Sequence, residues 1–192
     1  MIKLSKIPRP LAGAIGLALI CATALPSAAG ATTATATLTA GSLGLVSAPS
    51  NPAFPSTALT GLNQSITATQ TIDVGDATGS GVGWNLTATS TTFTAGANTL
   101  PTSSVTIASA PASPTCDSNA TCSPATAAAG VTYPYSLPAG TTAPTATKMY
   151  SAAAGTGLGD QTLSPTWTLA VPAKALAGSY TSTWTLSLVS GP

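Results

Sequence analysis

The side chains in this sequence that can do acid–base, nucleophilic or metal chemistry are few enough to take one by one. There is no His and no Glu, and the four acidic residues are Asp73, Asp76, Asp117 and Asp160. Without His, a Ser-His-Asp relay cannot be assembled. A carboxylate pair for glycoside hydrolysis would have to come from the aspartates, of which only Asp73 and Asp76 are near neighbours. These two flank Gly75 at a strand end, a setting in which Asp side chains bond turn amides. The same pair, with carbonyls freed at Gly75 and Gly79, is the one candidate calcium site, although its spacing is not that of an EF-hand. The turn role is the better reading, and neither a metal nor any other cofactor is expected. Lys148 and Lys174 have no motif around them that suits a Ser-Lys dyad or a Lys-Asn cross-link, and they read as solvated strand-end lysines.

Cys116 and Cys122 lie in a turn-rich segment that also holds Pro114, Asp117, Asn119 and Pro124. A zinc site would need ligands that the chain lacks. A disulfide needs only that the two Cα atoms approach to about 5–6 Å, which such a segment allows. The tryptophans recur in one local pattern: Trp84-Asn85-Leu86, Trp167-Thr168-Leu169 and Trp184-Thr185-Leu186. In a strand, residues i and i+2 point to one face, so each triplet sets an indole beside a leucine. Such a pair serves either as core, where each ring buries roughly 200 Å², or as an exposed ledge for a polymer. Packing energetics alone favour core.

These groups need a scaffold, and its limits are marked by the first residues. Lys3, Lys6 and Arg9 precede an uncharged apolar run over residues 11–25 and a small-residue stretch at 26–29, which reads as a secretory signal peptide over 1–31. The run is shorter than the ~20 residues that span a bilayer as a helix. Cys21 follows Leu19 and Ile20, bulky where a lipoprotein box has small residues. Leader removal leaves residues 32–192 as one domain. It also leaves Lys148 and Lys174 against the aspartates, a mildly acidic chain with nothing to neutralise phosphate. Nucleic acid and membrane are therefore excluded as partners of the processed chain. With no wall-sorting signal before Pro192, retention at a surface is expected to be noncovalent.

Thr, Ser, Ala, Gly and Pro dominate the remainder, yet the apolar positions alternate. Ile66, Ala68, Gln70, Ile72 and Val74 share one face of a strand, as do Trp84, Leu86 and Ala88, and again Tyr180, Trp184, Leu186 and Leu188. Gly- and Pro-containing turns separate these runs, and the scattered prolines exclude long helices. The spacing predicts an all-β, single-domain, antiparallel two-sheet sandwich, Ig-like, of about seven to ten strands. Strands are expected near 34–39, 43–47, 65–74, 83–93, 104–108, 132–137, 147–151, 161–171 and 179–189, with a loop over 111–129 tied by the disulfide. A parallel β-helix would show a fixed repeat, and none is visible.

The stretch Asp76-Ala77-Thr78-Gly79-Ser80-Gly81-Val82-Gly83-Trp84-Asn85-Leu86-Thr87, with Phe93 after it, resembles the proximal motif of the WxL-domain proteins, secreted surface proteins of Gram-positive bacteria. The last strand, from Tyr180 to Pro192, resembles their distal motif in spacing. It carries Trp184 at the aliphatic position and Leu186 and Leu188 where the family has its Trp and Leu. The resemblance implies noncovalent attachment to the cell wall, to peptidoglycan or another wall polymer, and partnership with other surface proteins. The implied site residues are Trp84, Leu86, Tyr180, Trp184, Leu186, Leu188 and Pro192. Trp84 is expected to carry recognition, with Trp167 and Trp184 in the core. A different role also fits, because the Ala177-Gly178-Ser179-Tyr180 entry into a Thr-rich strand resembles the last strand of pilin-like subunits that assemble by strand exchange. An enzyme is not expected.

Overall fold

The structure, a computed structural model, describes residues 33–192. The leader read at 1–31 lies outside them. The fold described below is the compact unit Leu38–Pro192. It is all-β and sandwich-like, as the alternation predicts.

One layer is built on a long antiparallel ribbon. In it β2 (Gln64–Thr69) and β3 (Ile72–Asp76) run against β13 (Thr166–Val171) and β12 (Gly159–Leu163). The register does not shift along it: Gln64 faces Val171, Thr69 faces Thr166, Ile72 faces Leu163 and Asp76 faces Gly159. The ladder is nevertheless interrupted in the middle, because Pro165 has no N–H to give. Only the Gln70 N–H, donating to the Pro165 carbonyl at 3.0 Å, spans the gap. The strands expected at 65–74 and 161–171 are thus each divided in two. β1 (Leu43–Leu45) pairs with β3, β8 (Thr115–Cys116) with β12, and β7 (Val105–Ile107) with β13, while β9 (Tyr135–Ser136) pairs with β7.

The other layer centres on β4 (Trp84–Thr91). Its whole length pairs antiparallel with β14 (Trp184–Ser190). Its opposite edge is shared by β11 (Thr147–Ala152), antiparallel, and β10 (Ala139–Gly140), parallel. A small hairpin of β5 (Thr94–Ala95) and β6 (Asn98–Thr99) turns at Gly96. The described residues hold fourteen strands rather than the expected seven to ten. Interrupted ribbons and two-residue strands account for the difference, and the β10–β4 pair is not antiparallel.

Two expected elements also differ. Residues 34–39 join no ladder among the described residues, and the last strand begins at Trp184 rather than near 179. The segment 111–129 contains β8 and bridges from Ser123 to Leu158 and from Ala127 to Ala152, so it is a pinned edge more than a loop. Its disulfide is present, with the Cys116 and Cys122 Cα atoms 5.5 Å apart.

The core lies between the layers. Trp84, Leu86 and Ala88 of β4 pack in one cluster with Ile72, Val74, Leu163, Trp167 and Leu169 of the ribbon. Trp84 and Trp167 are both 0% exposed, and each indole N–H finds an acceptor. Trp84 Nε1 donates to the Gly157 carbonyl and Trp167 Nε1 to Gln70 Oε1, each at 2.9 Å. Burial of a ring this size stabilises by several kcal/mol only because the N–H is satisfied, since a lost partner would cost ~1–3 kcal/mol.

Candidate functional site

The sequence points to the tryptophan strands, and the structure divides them between two environments. Strand parity sends Trp84 and Leu86 inward from the central strand β4, which has neighbours on both edges. Both residues are 0% exposed. The expectation that Trp84 contacts a ligand is therefore corrected: its indole faces Tyr150, with ring centroids 5.7 Å apart, and its pocket is closed by backbone. A Cβ at Gly157 would lie 2.5 Å from Trp84 Nε1, and one at Gly83 would run into the Ala152 carbonyl oxygen. Only glycine fits at these positions, both of which have positive φ.

Trp184 goes the other way. It packs against the core, as expected, but at the margin: β14 pairs on one side only, and Trp184, Leu186 and Leu188 are all half-buried. Its ring meets Trp167 edge-on at 4.8 Å between centroids and Phe93 at 6.4 Å. Phe93 meets Phe54 at 6.2 Å, and Tyr135 meets Trp167 at 6.3 Å. Five rings, Tyr135, Trp167, Trp184, Phe93 and Phe54, thus run from the deep core to the surface. At the outer end of this chain two clefts adjoin, both lined by Pro52, Phe93 and Tyr180. The first, about 720 Å³, is also lined by Phe54, Leu59 and Leu176. The second, about 620 Å³, is flanked by Pro49, Asn51, Trp184 and Leu186.

The walls are fixed by hydrogen bonds that start in the core. Gln70, on the predicted inward face and 2% exposed, accepts from the Trp167 indole and donates through Nε2 to the Ser50 carbonyl at 3.0 Å. Ser50 is tied to Thr71 twice more, through its own N–H at 3.0 Å and through Oγ at 2.7 Å. One buried amide therefore orients the indole behind the cleft and the proline-rich wall in front of it. Tyr180 is held by its hydroxyl, which donates to the Leu176 carbonyl at 2.9 Å. Thr181, next in the chain, exchanges both backbone hydrogen bonds with Thr94. No charged side chain lines either cleft, and Tyr180 is the only titratable residue among those lining them. The arrangement offers ring faces and edges with neutral amide and hydroxyl groups, which suits binding. It offers no pair of groups for proton transfer.

Of the residues implied by the resemblance, Tyr180, Trp184 and Leu186 border the clefts. Leu86 and Leu188 are direct cross-strand partners, and Trp84 faces Ser190. Pro192 follows Gly191, whose N–H donates to the Gly83 carbonyl and whose carbonyl accepts from Asn85 Nδ2. The motifs therefore meet as neighbouring strands but do not form one exposed surface. Phe54, Gln70 and the wall at Pro49 and Pro52 were not singled out as site residues from the sequence. The density of prolines around Phe54 was the available signal.

The carboxylates are elsewhere. Asp73 and Asp76 are three apart on one strand, so they point to opposite faces and share no site. Asp76 accepts from the Thr78 N–H and hydroxyl at 3.0 and 2.7 Å, the turn role read from the sequence. Asp73 lies on the outer face beside Thr162, whose hydroxyl donates to Asp117 at 2.6 Å. Partial burial pushes the Asp73 carboxyl above its ordinary value, and the negative charges of Asp117 and Asp160 add to the shift. Among the described residues no three His, Cys, Asp or Glu side chains are arranged to hold a metal. On the inner side, burial pushes the Tyr133 hydroxyl up to about 12, with smaller effects from Tyr150 and Tyr135.

No family model, curated protein or solved structure matches this chain.

Proposed function

We propose that this chain is a non-catalytic, exported surface protein that attaches noncovalently to a cell-wall polymer, peptidoglycan or a similar glycan, through the clefts around Tyr180. The observation that carries the reading is the charge-free aromatic cleft beside Tyr180, backed by a ring chain that the core holds rigid. Apolar sugar faces stack on rings, and sugar hydroxyls and acetamido groups pair with neutral amides and hydroxyls. The resemblance of the strands around Trp84 and Trp184 to WxL-domain motifs supports the same target. The disulfide fits an oxidising compartment outside the cytoplasm.

The test is sedimentation of the mature chain with isolated Gram-positive cell walls. The chain is expected in the pellet, and to stay there at molar salt because no charged side chain lines the 720 and 620 Å³ clefts. Tyr180→Ala is expected to weaken binding about tenfold, the loss of roughly 1.4 kcal/mol typical of a truncated aromatic contact. A chain that remains in the supernatant, or a Tyr180→Ala variant that pellets like the parent, refutes the proposal.

A further inference from the structure

The geometry points to a second interaction surface: the open edge of β14 takes residues 33–40 of another copy of this chain as an added strand. The acceptor follows from the hydrogen-bond parity of β14. The Thr91 N–H donates to the Thr183 carbonyl, and the Gly191 N–H to the Gly83 carbonyl, in the same register as the β4–β14 ladder. Odd-numbered residues therefore turn their backbone groups toward β4, while Trp184, Leu186, Leu188 and Ser190 turn theirs away. Among the described residues those outward groups meet no backbone partner. β1 packs beside part of β14, but the edge along Trp184 and Leu186 opens on the 620 Å³ cleft whose far wall holds Pro49 and Pro52.

The same edge leaves the core incompletely covered. Leu86 and Ala88 of β4 are at most 1% exposed, whereas their cross-strand partners Leu188 and Leu186 are only half-buried. Exposed edges are commonly blunted by lysine or proline. Between Trp184 and Ser190 there is neither.

The donor is in the same chain. Residues 33–40 read Thr-Ala-Thr-Ala-Thr-Leu-Thr-Ala, in no helix, strand or turn and exposed at every position, with Leu38 95% exposed. This segment has strict period-two alternation, no proline, no glycine and no charge, and its eight residues are enough to cover the seven of β14. Added to the edge, it would turn Ala34, Ala36 and Leu38 toward Trp184 and Leu186, and its threonines outward beside Thr185 and Ser187. The topology favours a neighbour as donor. Leu38 to Ala40 lead into the Leu43 end of β1, whereas Pro49 and Pro52, at the cleft, follow its Leu45 end. Gly41 and Ser42 are moreover held to Ala77 beside β3.

The experiment measures the mass of the chain 32–192 by light scattering from micromolar to millimolar concentration, with amide exchange read at β14. Mass is expected to rise with concentration, and the Trp184, Leu186 and Leu188 amides to gain protection in step with it. Leu38→Asp, at a position that contributes nothing to the core, is expected to weaken assembly about tenfold or more, and Ser187→Lys to do the same from the acceptor side. The added strand would run along the 620 Å³ cleft, so assembly should compete with wall binding there; neither change should weaken sedimentation of the monomer with cell walls, whereas Tyr180→Ala should, which separates the two readings. A monomer at every concentration overturns the proposal. So does assembly indifferent to Leu38→Asp, or β14 protection independent of concentration, which would place the donor in its own molecule.

Discussion

Trp84 and Tyr180 show how little a residue's type says about its task. Both are aromatic and both belong to strand-like alternation, but one seals the interior and the other fronts a cleft. Trp84→Ala is expected to destabilise by about 3–5 kcal/mol, the range for a large buried ring replaced by a cavity. Gly157→Ala should be damaging too, by roughly 1–3 kcal/mol from its positive φ alone, with the Trp84 contact added. Thermal or urea unfolding of the two variants checks this, and a loss below about 1 kcal/mol in both would contradict the packing described for Trp84. Tyr180→Ala, which removes a half-buried ring at the margin of the core, should destabilise clearly less than Trp84→Ala. The Trp-x-Leu spacing shows legibly that indole and leucine share a face. It does not show whether that face is covered, because coverage depends on how many neighbours the strand has.

At the level of elements, the strands were legible from period-two alternation, and their breaks from proline chemistry. Pro165 interrupts a ribbon whose register is otherwise constant, and Gly96 and Gly140 mark a turn and a strand end, whereas Gly75 lies inside β3, paired on both sides. The strand expected at 34–39 has the right pattern but no partner in its own ladder, since alternation specifies a pleated face and not the strand beside it. The disulfide closes a short span, Cys116 to Cys122, at the outer edge of β12. On loop-closure entropy it contributes about 2 kcal/mol. The Cys116→Ser, Cys122→Ser double variant should unfold earlier by that amount while Tyr180-dependent wall sedimentation persists. The test is a denaturant midpoint beside the pelleting assay, and loss of pelleting from a folded double variant would tie the loop to the site.

The whole molecule carries so few charges that its pH response reduces to a handful of groups. Asp73 has a folded-state pKa raised above the ordinary 3.8, so the stability it contributes is complete below that value and is lost as pH rises through the raised one. Asp73→Asn should therefore match the parent in acid and exceed it in stability at neutral pH. Tyr133, pushed from 10.0 to about 12 by burial, acts in the same sense at the alkaline end. Its contribution falls between those values as the phenol ionises, and Tyr133→Phe should flatten that slope. Denaturant midpoints measured across pH check both, and a parent that gains stability over Asp73→Asn on neutralisation would contradict the Asp73 environment.

Composition and alternation by themselves determined that this chain is all-β, that Cys116 and Cys122 can bridge, and that indole and leucine fall on common faces. These are local facts, set by side-chain chemistry and the two-residue period of a strand. Tertiary structure alone decided that β4 is central and β14 marginal, that Gln70 joins Trp167 to the Ser50 wall, and that Tyr180 rather than Trp84 fronts the clefts. Those outcomes depend on contacts between residues far apart in sequence, such as Gln70 with Trp167 and Phe93 with Trp184. No local period encodes which edge of a sheet is left open.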